Sequence, residues 1–489
     1  MPSTTEPIIA QVQQQFQELV AYVTGPETRA STAYEVELAL FRRLLALGAA
    51  LLRLYFVSRA AVRPTEPVRS PDGTPLAYHD RRRTTYYSVF GKLAFYRHAF
   101  TAPQQPVVCP LDAALSLPER CYSDLLREWA AYGTTDESYR ESQTGLARIL
   151  GLPLSLQALE TTMAEDATDV AAFYDRPPER AVPTAAGTIL VAQADGKGVP
   201  LVPAQPVPRP VRRGKGHPPA TKEAVVTALY TIAPYHRTPE DVVAALLHEA
   251  ERPAPAGRPR PLGKELRATL DGKDAALTRL AHRAAQRDGA HLRQRVALTD
   301  GAEALQQRML AHLPGYTLVL DIIHATEYLW DAANALLGER HPERTAWMRR
   351  QLTQLLTGQT AAVISALDEA AADPARTATQ RQALLRTAGY YRRNQPYMRY
   401  DEYLARGWPV GTGVVEGACG QLVKDRRQQA GMRWTQPGAQ ALLDLRAVRL
   451  NEGWAAYWQF HRQQQHQRLY GAALPLPAIV EDQALELVA

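Results

Sequence analysis

Two aspartates stand where apolar stretches of the chain end. Asp195 lies in LVAQADGKGVPLV (residues 190–202) and Asp300 in RVALTDG (residues 295–301), and each is followed by glycine. The apolar stretches are typical of buried strands, and the carboxyl ends of parallel strands meet at one edge of a sheet, where ligands bind. Two carboxylates brought together repel each other unless a cation lies between them. We therefore expect a hard divalent ion such as Mg²⁺ at this edge.

A third carboxylate is expected from a helix. The segment GTGVVEGACGQLVKDRRQQAGMRW predicts a helix from about residue 414 to residue 429, with Glu416 near its start. At 100° per residue Gly420 and Arg427 share the face of Glu416, and Lys424 is nearby. Gly420 leaves room for a substrate backbone, and the two bases would contact phosphates. Two metal ions held by such acids can assist both the attacking and the leaving oxygen of a phosphodiester.

Taken singly, each acid has an ordinary structural interpretation. Asp195-Gly196 is a strong hairpin signal, so we expect the chain to turn there and VPLVPA to form the partner strand. Asp300 suits a helix N-cap, and Glu416 suits a solvated helix surface. Only the three acids together, in this order, point to metal-dependent chemistry.

A basic segment lies between two predicted core strands. PVPRPVRRGKGHPPATK contains no acidic residue, and its bases are Arg209, Arg212, Arg213, Lys215 and Lys222. It is either a solvated surface loop or a phosphate contact near the site, and the second interpretation predicts salt-sensitive DNA binding. Arg433 and Trp434 are further candidate DNA contacts, since an exposed tryptophan can stack on a base.

The whole chain has the composition of a soluble globular protein. It has 489 residues, 46% hydrophobic and 22% charged, with a formal net charge of +6 that favours a polyanionic partner. Its three cysteines form no CxxC pair, which argues against disulfides and zinc knuckles. The most apolar run, LALFRRLLALGAALLRLYFV, contains three arginines and fits an amphipathic helix better than a membrane span. We expect a cytoplasmic protein without a membrane partner.

The elements that must position these residues predict an α+β fold. We expect a helical region at 1–70, a β-hairpin (TTYYSVFGKLAFYRHAF) with a helical DNA-binding region at 71–182, and a strand-and-helix core at 183–338. Within that core, GTILVAQADG, VPLVPA and KEAVVTALYTIAP are the predicted first three strands. An all-helical insertion at 339–409, the Glu416 helix with core closure at 410–470, and a tail at 471–489 complete the organisation.

Four motifs then resemble a known family. In order they are ADGKGVPL, ALTDGAEAL, LDIIHATEYLWDAA and GTGVVEGACGQLVKDRRQQAGMRW. From about residue 70 to residue 462 the chain resembles the DDE transposases of bacterial insertion sequences, of the ISKra type related to Mutator-like and hAT-like transposases. The resemblance implies an RNase H-like core, a mixed sheet flanked by helices, interrupted by a helical insertion. It also implies Mg²⁺-dependent cutting of DNA at transposon terminal inverted repeats and joining of the 3′-hydroxyl to target DNA.

The same resemblance assigns residues and partners. Asp195, Asp300 and Glu416 would be the catalytic triad and the metal ligands, with Mn²⁺ a possible substitute for Mg²⁺. Asp321-Ile-Ile-His324 resembles the C/D-x-x-H signature beside the triad, and Asp321 is a rival to Asp300 as second metal ligand. Relatives often have a cysteine-containing, zinc-like element near the hairpin, but here only Cys109 stands there, so no zinc is expected.

Pairing of two transposon ends predicts a homodimer or larger oligomer associated with the nucleoid. Two other functions stay open at this point: a structure-selective nuclease or resolvase on the same core, and a catalytically inactive DNA-binding derivative.

Overall fold

The chain forms two compact units. The computed structural model describes residues 5–70, 72–177, 189–202, 221–249, 257–289, 292–425 and 434–471. One unit comprises residues 1–170 and 453–489, and the other comprises residues 171–452. The last described helix therefore groups with the N-terminal unit, whereas the sequence placed it with the closure of the catalytic core.

The first unit contains the predicted β-hairpin among helices. Its elements are α1 (Glu6–Thr24), α2 (Ala33–Ala61), β1 (Ala77–Ser88), β2 (Gly91–Thr101), α3 (Pro110–Ala114), α4 (Asp124–Asp136), α5 (Tyr139–Leu150), α6 (Leu156–Asp166) and a C-terminal helix (Trp454–Tyr470). Strands β1 and β2 pair antiparallel, which confirms the hairpin. Phe56 of α2 stacks on Phe95 of β2 with ring centroids 4.4 Å apart, so α2 covers one face of the hairpin.

Helix α2 is long and apolar enough to cross a membrane, judged by length and composition among the described residues. It buries Ala50, Phe56 and Ala60 and carries the arginines predicted to make it amphipathic.

The second unit is built on a mixed five-stranded sheet. Its strands are β3 (Ile189–Pro200), β4 (Thr221–Ile232), β5 (Leu262–Thr269), β6 (Gln294–Thr299) and β7 (Thr317–Leu320), in the order β5-β4-β3-β6-β7. Strand β4 is antiparallel to β3 and β5, whereas β6 runs parallel to β3 and β7 runs parallel to β6. Mixed strands with many helices confirm the α+β class.

The helices of this unit continue the series. They are α7 (Val170–Asp175), α8 (Pro239–Leu246), α9 (Lys273–Arg287), α10 (Glu303–His312), α11 (Ile322–Leu337), α12 (Arg344–Leu356), α13 (Thr360–Ala372), α14 (Ala378–Asn394), α15 (Tyr400–Ala405), α16 (Gly413–Ala418), a π-helical turn (Cys419–Lys424) and α17 (Gln436–Leu450). Helices α12 to α15 occupy the stretch 339–409, which agrees with the predicted all-helical insertion.

The two faces of the sheet pack on different helices. Ile189 and Val191 of β3 belong to a core shared with α11 and the insertion helices. Leu190 and Ala192 belong to a second core shared with α9 and α10. Because side chains alternate along a strand, Asp195 lies on the face of β3 that carries the insertion.

The predicted turn at Asp195-Gly196 is wrong. Strand β3 runs through both residues to Pro200, and Asp195 pairs with Val226 and Gly196 with Val225 of β4. VPLVPA is therefore no partner strand: its first residues, Val199 and Pro200, belong to β3 itself. An Asp-Gly pair turns a chain only where positive φ angles are adopted, and the long ladder with β4 stabilises extended backbone instead.

The sequence pattern also missed strand β5. Its apolar residues Leu266 and Ala268 are buried, but charged residues stand between them and before them. Glu265 is buried within this strand because Arg283 and Arg287 both bind its carboxylate, at 2.7 and 2.6 Å. A buried ion-pair cluster of this kind conceals a strand from any hydrophobic pattern.

Candidate active site at the ends of the parallel strands

Three aspartates lie level with one another on neighbouring strands. Gln193 of β3 pairs with Leu298 of β6, so Asp195 and Asp300, two residues further along each strand, lie at the same level. Thr299 pairs with Leu320 of β7, so the same argument places Asp321 level with Asp300. Neighbouring strands are about 4.8 Å apart, and residues two apart on a strand share a face. The sheet thus brings three carboxylates to one edge and one face.

A buried glutamine attaches the helix of Glu416 to this edge. Gln193 precedes Asp195 by two residues and shares its face of β3, and it is fully buried. Its Oε1 accepts a hydrogen bond from Val415 N at 3.0 Å, and its Nε2 donates to Gly411 O at 3.3 Å. These bonds fix the start of α16 over β3, which carries Glu416 to the ends of the strands.

Asp321, His324 and Glu416 form a cluster that could hold a metal ion. One ligand atom from each lies within 4.8 Å of the other two. His324 Nδ1 is 2.6 Å from Asp321 Oδ2 and 3.9 Å from Glu416 Oε1. Thr412 Oγ1 donates to Glu416 Oε1 at 2.7 Å and fixes that carboxylate from the other side.

The two rival aspartates differ in how their oxygens are used. Asp321 is fully buried; its Oδ1 accepts from Thr412 N at 2.9 Å, and its Oδ2 accepts from His324 N as well as facing the imidazole. Asp300 is only half-buried, and its Oδ1 accepts from both Thr299 Oγ1 and Ala302 N. Oδ2 of Asp300 is not needed by that turn. The cluster with Glu416 and His324 thus contains Asp321 and neither Asp195 nor Asp300, whereas Asp300 has an oxygen that its own turn does not use.

Asp321 also sets the charge of His324. The hydrogen bond that the His324 imidazole donates to Asp321 raises the pKa of His324 to about 9, against the opposing effect of burial, and the carboxylates of Glu327 and Asp300 act in the same direction. The imidazole is therefore protonated at neutral pH when no metal is bound. Its positive charge offsets part of the negative charge that the aspartates and Glu416 gather at this edge.

Cys419 contacts Asp195 from the π-helical turn. Its Sγ donates to Asp195 Oδ2 at 3.2 Å, and Asp195 Oδ1 accepts from the neighbouring Gly196 N at 2.6 Å. Burial, followed by the charge of Asp195, raises the pKa of the Cys419 thiol well above its usual value, so the thiol stays a donor. The sequence indicated only a packing role for this cysteine.

The π-helical turn also changes the predicted helix face. A face calculated at 100° per residue no longer applies beyond Ala418, because a π-turn winds more widely. Lys424 is exposed, and a side chain added at Gly420 would meet no atom within 4 Å, so room is present as predicted. Arg427 lies outside the described residues.

Tyrosines of the insertion hold the backbone beside the aspartates. Tyr390 OH donates to the carbonyl of Asp300 at 2.8 Å, and Tyr400 OH donates to Leu320 O, next to Asp321, at 3.1 Å. Gly301 has a φ of +87°, and a Cβ there would lie 2.5 Å from Tyr390 Oη. The insertion therefore contacts the site directly and restricts the loop that carries Asp300.

The predicted DNA contacts are mostly outside the described residues. Those are Arg209, Arg212, Arg213, Lys215 and Arg433. Lys222 is partly buried at the start of β4. The Trp434 side chain is only 6% exposed, and its carbonyl accepts from Val202 N at 2.8 Å. A tryptophan buried beside the end of β3 does not present its ring to a base, so the structure corrects the expectation of base stacking.

Comparison with known protein families gives no match, and a search among curated proteins gives none either. Inferences about function therefore depend on the motifs and on the geometry of this site.

Proposed function

We propose that this protein is a DDE-type DNA transposase with an RNase H-like core. The observation that carries the proposal is the alignment of Asp195, Asp300 and Asp321 at one level of three neighbouring strands, with the helix of Glu416 attached above them. The mixed five-stranded sheet and the helical insertion before the glutamate helix support the proposal, because the motif resemblance implies a mixed sheet interrupted by a helical insertion.

The residues present fit hard divalent ions. Asp195, Asp300 and Glu416 offer carboxylate oxygens, which Mg²⁺ and Mn²⁺ prefer, and they are partly exposed rather than sealed in the core. Bound there, the ions would supply charge stabilisation for the attacking and leaving oxygens of a phosphodiester. No nucleophilic serine or tyrosine is required, because water and then a DNA 3′-hydroxyl attack directly.

The remaining side chains hold this arrangement in place. Asp321 orients His324, whose imidazolium lies beside Glu416 and can contact a phosphate oxygen. Cys419 donates to Asp195 and keeps that carboxylate turned towards the edge. Preorganised groups of this kind lower a barrier because they need not reorganise when charge develops.

The wider properties of the chain support a DNA partner. A net charge of +6 and the basic segment at 206–222 favour binding of terminal inverted repeats and target DNA. We further propose that the protein acts as a homodimer or larger oligomer on the nucleoid of a bacterial cytoplasm, since two transposon ends must be brought together.

The test uses the DNA that flanks the gene. Purified protein is incubated with Mg²⁺, a linear fragment that carries the gene's own flanking sequences, and a supercoiled target plasmid. We expect cuts that free 3′-hydroxyls at the ends of inverted repeats, and joined products in the plasmid, with neither from Glu416→Gln.

Each other outcome identifies a rival function. Cut but never joined DNA would indicate the nuclease or resolvase. Binding without any cut would indicate an inactive derivative and would overturn the proposal.

A further inference from the structure

The β1–β2 hairpin has one face in the core and one face outside. Tyr86, Leu93 and Phe95 point to the α2 side, where Phe56 contacts both Tyr86 and Phe95. Residues directly opposite each other in the ladder share a face. Arg81 with His98, Arg83 with Tyr96, and Tyr87 with Lys92 therefore make up the other face. Arg81, Arg83, Lys92 and Tyr96 are exposed.

The charges of this outward face all have one sign. From residue 81 to residue 98 the positions on this face hold Arg81, Arg83, Lys92 and His98 as basic residues and no acidic residue. On the opposite face the arginines have acidic neighbours: Arg82 lies 3.5 Å from Asp80, and Arg97 binds Asp112. Among the described residues, no carboxylate lies within ion-pair distance of Arg81, Arg83 or Lys92.

A further cation reaches the base of the same face. The guanidinium of Arg63 lies over the ring of Tyr78, 4.1 Å from its centroid. Burial, and then the positive charges of Arg81 and Arg63, lower the pKa of His98. Arg81 and Arg63 thus both lie near His98 with no ion-paired carboxylate in the described part of the chain, and like charges repel unless an anion binds.

The shape of the hairpin suits a DNA duplex. Its two strands are about 4.8 Å apart, and the major groove of B-DNA, about 12 Å wide, admits a two-stranded β-ribbon. Tyr96, 53% exposed and directly opposite Arg83, offers a hydroxyl of the kind that contacts phosphates.

We propose that the outward face of the β1–β2 hairpin binds double-stranded DNA, with Arg81, Arg83 and Lys92 neutralising phosphates and Tyr96 contacting the backbone between them. The choice of DNA as the polyanion rests on the proposed function, whereas the charge and shape of the face do not.

The experiment measures how the affinity of the full-length chain depends on salt. Arg81→Gln/Arg83→Gln/Lys92→Gln is compared with Arg29→Gln/Arg42→Gln/Arg53→Gln, which removes three exposed bases of the same unit from outside the hairpin. Fluorescence anisotropy is recorded with a random-sequence DNA duplex in EDTA over a range of salt concentrations. We expect the hairpin variant to reduce the slope of log K against log salt by about 2.7, since each phosphate contact contributes about 0.9.

The controls decide between a local surface and a diffuse charge effect. The control triple should keep the wild-type slope, and Arg81→Lys/Arg83→Lys should keep it too, because charge is preserved. The proposal would be overturned if both triple glutamine variants reduced the slope of log K against log salt equally, or if the hairpin variant did not reduce it. A loss confined to RNA probes would overturn it in favour of an RNA surface.

These measurements are independent of catalysis. EDTA removes the metal, so a chain that binds through the hairpin but never cuts DNA would contradict the transposase proposal and leave this surface intact.

Discussion

At the scale of single residues, the two rival aspartates differ in how many hydrogen bonds their carboxylates accept inside the fold. Both Asp321 oxygens accept hydrogen bonds inside the fold, from Thr412 and from His324. The Asp300 turn uses one oxygen only. We propose that Asp300 is a metal ligand and that Asp321 positions His324, although both aspartates lie at the ends of adjacent strands.

Replacing each aspartate by asparagine tests this separation. Asp300→Asn should slow DNA cleavage at saturating Mg²⁺ by about 10³-fold, as expected for loss of a group that acts on developing charge. It should change stability little, because the amide oxygen can still accept the turn's hydrogen bonds. Single-turnover cleavage rates and urea unfolding measure both effects.

Asp321→Asn should show the opposite balance. The buried Asp321 carboxylate accepts hydrogen bonds from two backbone N–H groups and from the His324 imidazole. Its replacement should therefore lower the free energy of unfolding by about 2 kcal/mol. Cleavage should fall by about 10- to 100-fold, the range seen when residues that orient a site are removed. If Asp321→Asn instead caused the larger loss of cleavage rate and Asp300→Asn the larger loss of stability, Asp321 would be the metal ligand.

The sequence revealed the acids but not the residues that orient them. Asp195 and Asp300 were predictable because each ends an apolar stretch, a local pattern. Gln193 and Thr412 act through partners that are close in space and more than 90 positions away in the chain. A glutamine in an otherwise apolar strand, two residues before Asp195, was the one local signal that pointed to such a contact.

At the scale of elements, the helical insertion supports the site directly. Helix α14 and the segment after it supply the hydroxyls of Tyr390 and Tyr400 to backbone carbonyls at residues 300 and 320. The sequence predicted that an insertion is present, from helical periodicity, but not this role, because hydroxyl contacts leave no periodic pattern. The same limit applied to Asp195-Gly196, whose local turn preference is overridden by the ladder of β3 with β4.

Tyr390→Phe tests whether the insertion positions Asp300. Removing the hydroxyl should cost about 1 kcal/mol of stability, the usual value for one hydrogen bond. It should also lower the cleavage rate at saturating DNA without changing DNA affinity, because only the loop of Asp300 loses a donor. Single-turnover kinetics and anisotropy measure the two quantities.

Tyr403→Phe is the matched control, since Tyr403 OH reaches Leu318 O, further from the strand ends, at 3.5 Å. Equal rate losses in both variants would show that the tyrosines act only through general stability.

At the scale of the whole molecule, distant parts of the chain join in one unit. Residues 453–489 group with residues 1–170, and His461 of the C-terminal helix lies 2.7 Å from Asp169 and 3.5 Å from Asp166. Arg127 binds Asp166 at 2.6 Å, and Arg468 binds Asp169 at 2.5 Å. Burial lowers the pKa of His461, but the contacts of its imidazole with both carboxylates and their negative charges together raise it above its usual value.

This cluster predicts how the stability of the unit depends on pH. A raised folded-state pKa means that the contribution of His461 is complete below the unfolded pKa of about 6.5 and is lost as pH rises through the folded value. His461→Gln should therefore cost about 2 kcal/mol in mildly acidic solution, and the cost should shrink as the solution becomes alkaline. Urea unfolding of both proteins across this range measures it, and a difference that stays constant with pH would contradict the assignment.

The most direct test of the central claim is to locate a metal ion in the full-length protein. Fe²⁺ is bound in place of Mg²⁺, and ascorbate with peroxide then cuts the polypeptide near the ion, with the cut positions read by mass spectrometry. If Asp195, Asp300 and Glu416 hold the ion, we expect cuts near residues 195, 300 and 416. Excess Mg²⁺ should suppress these cuts, and the double variant Asp195→Asn/Glu416→Gln should abolish them. Cuts elsewhere in the chain, or cuts at these positions that persist in the double variant, would contradict it.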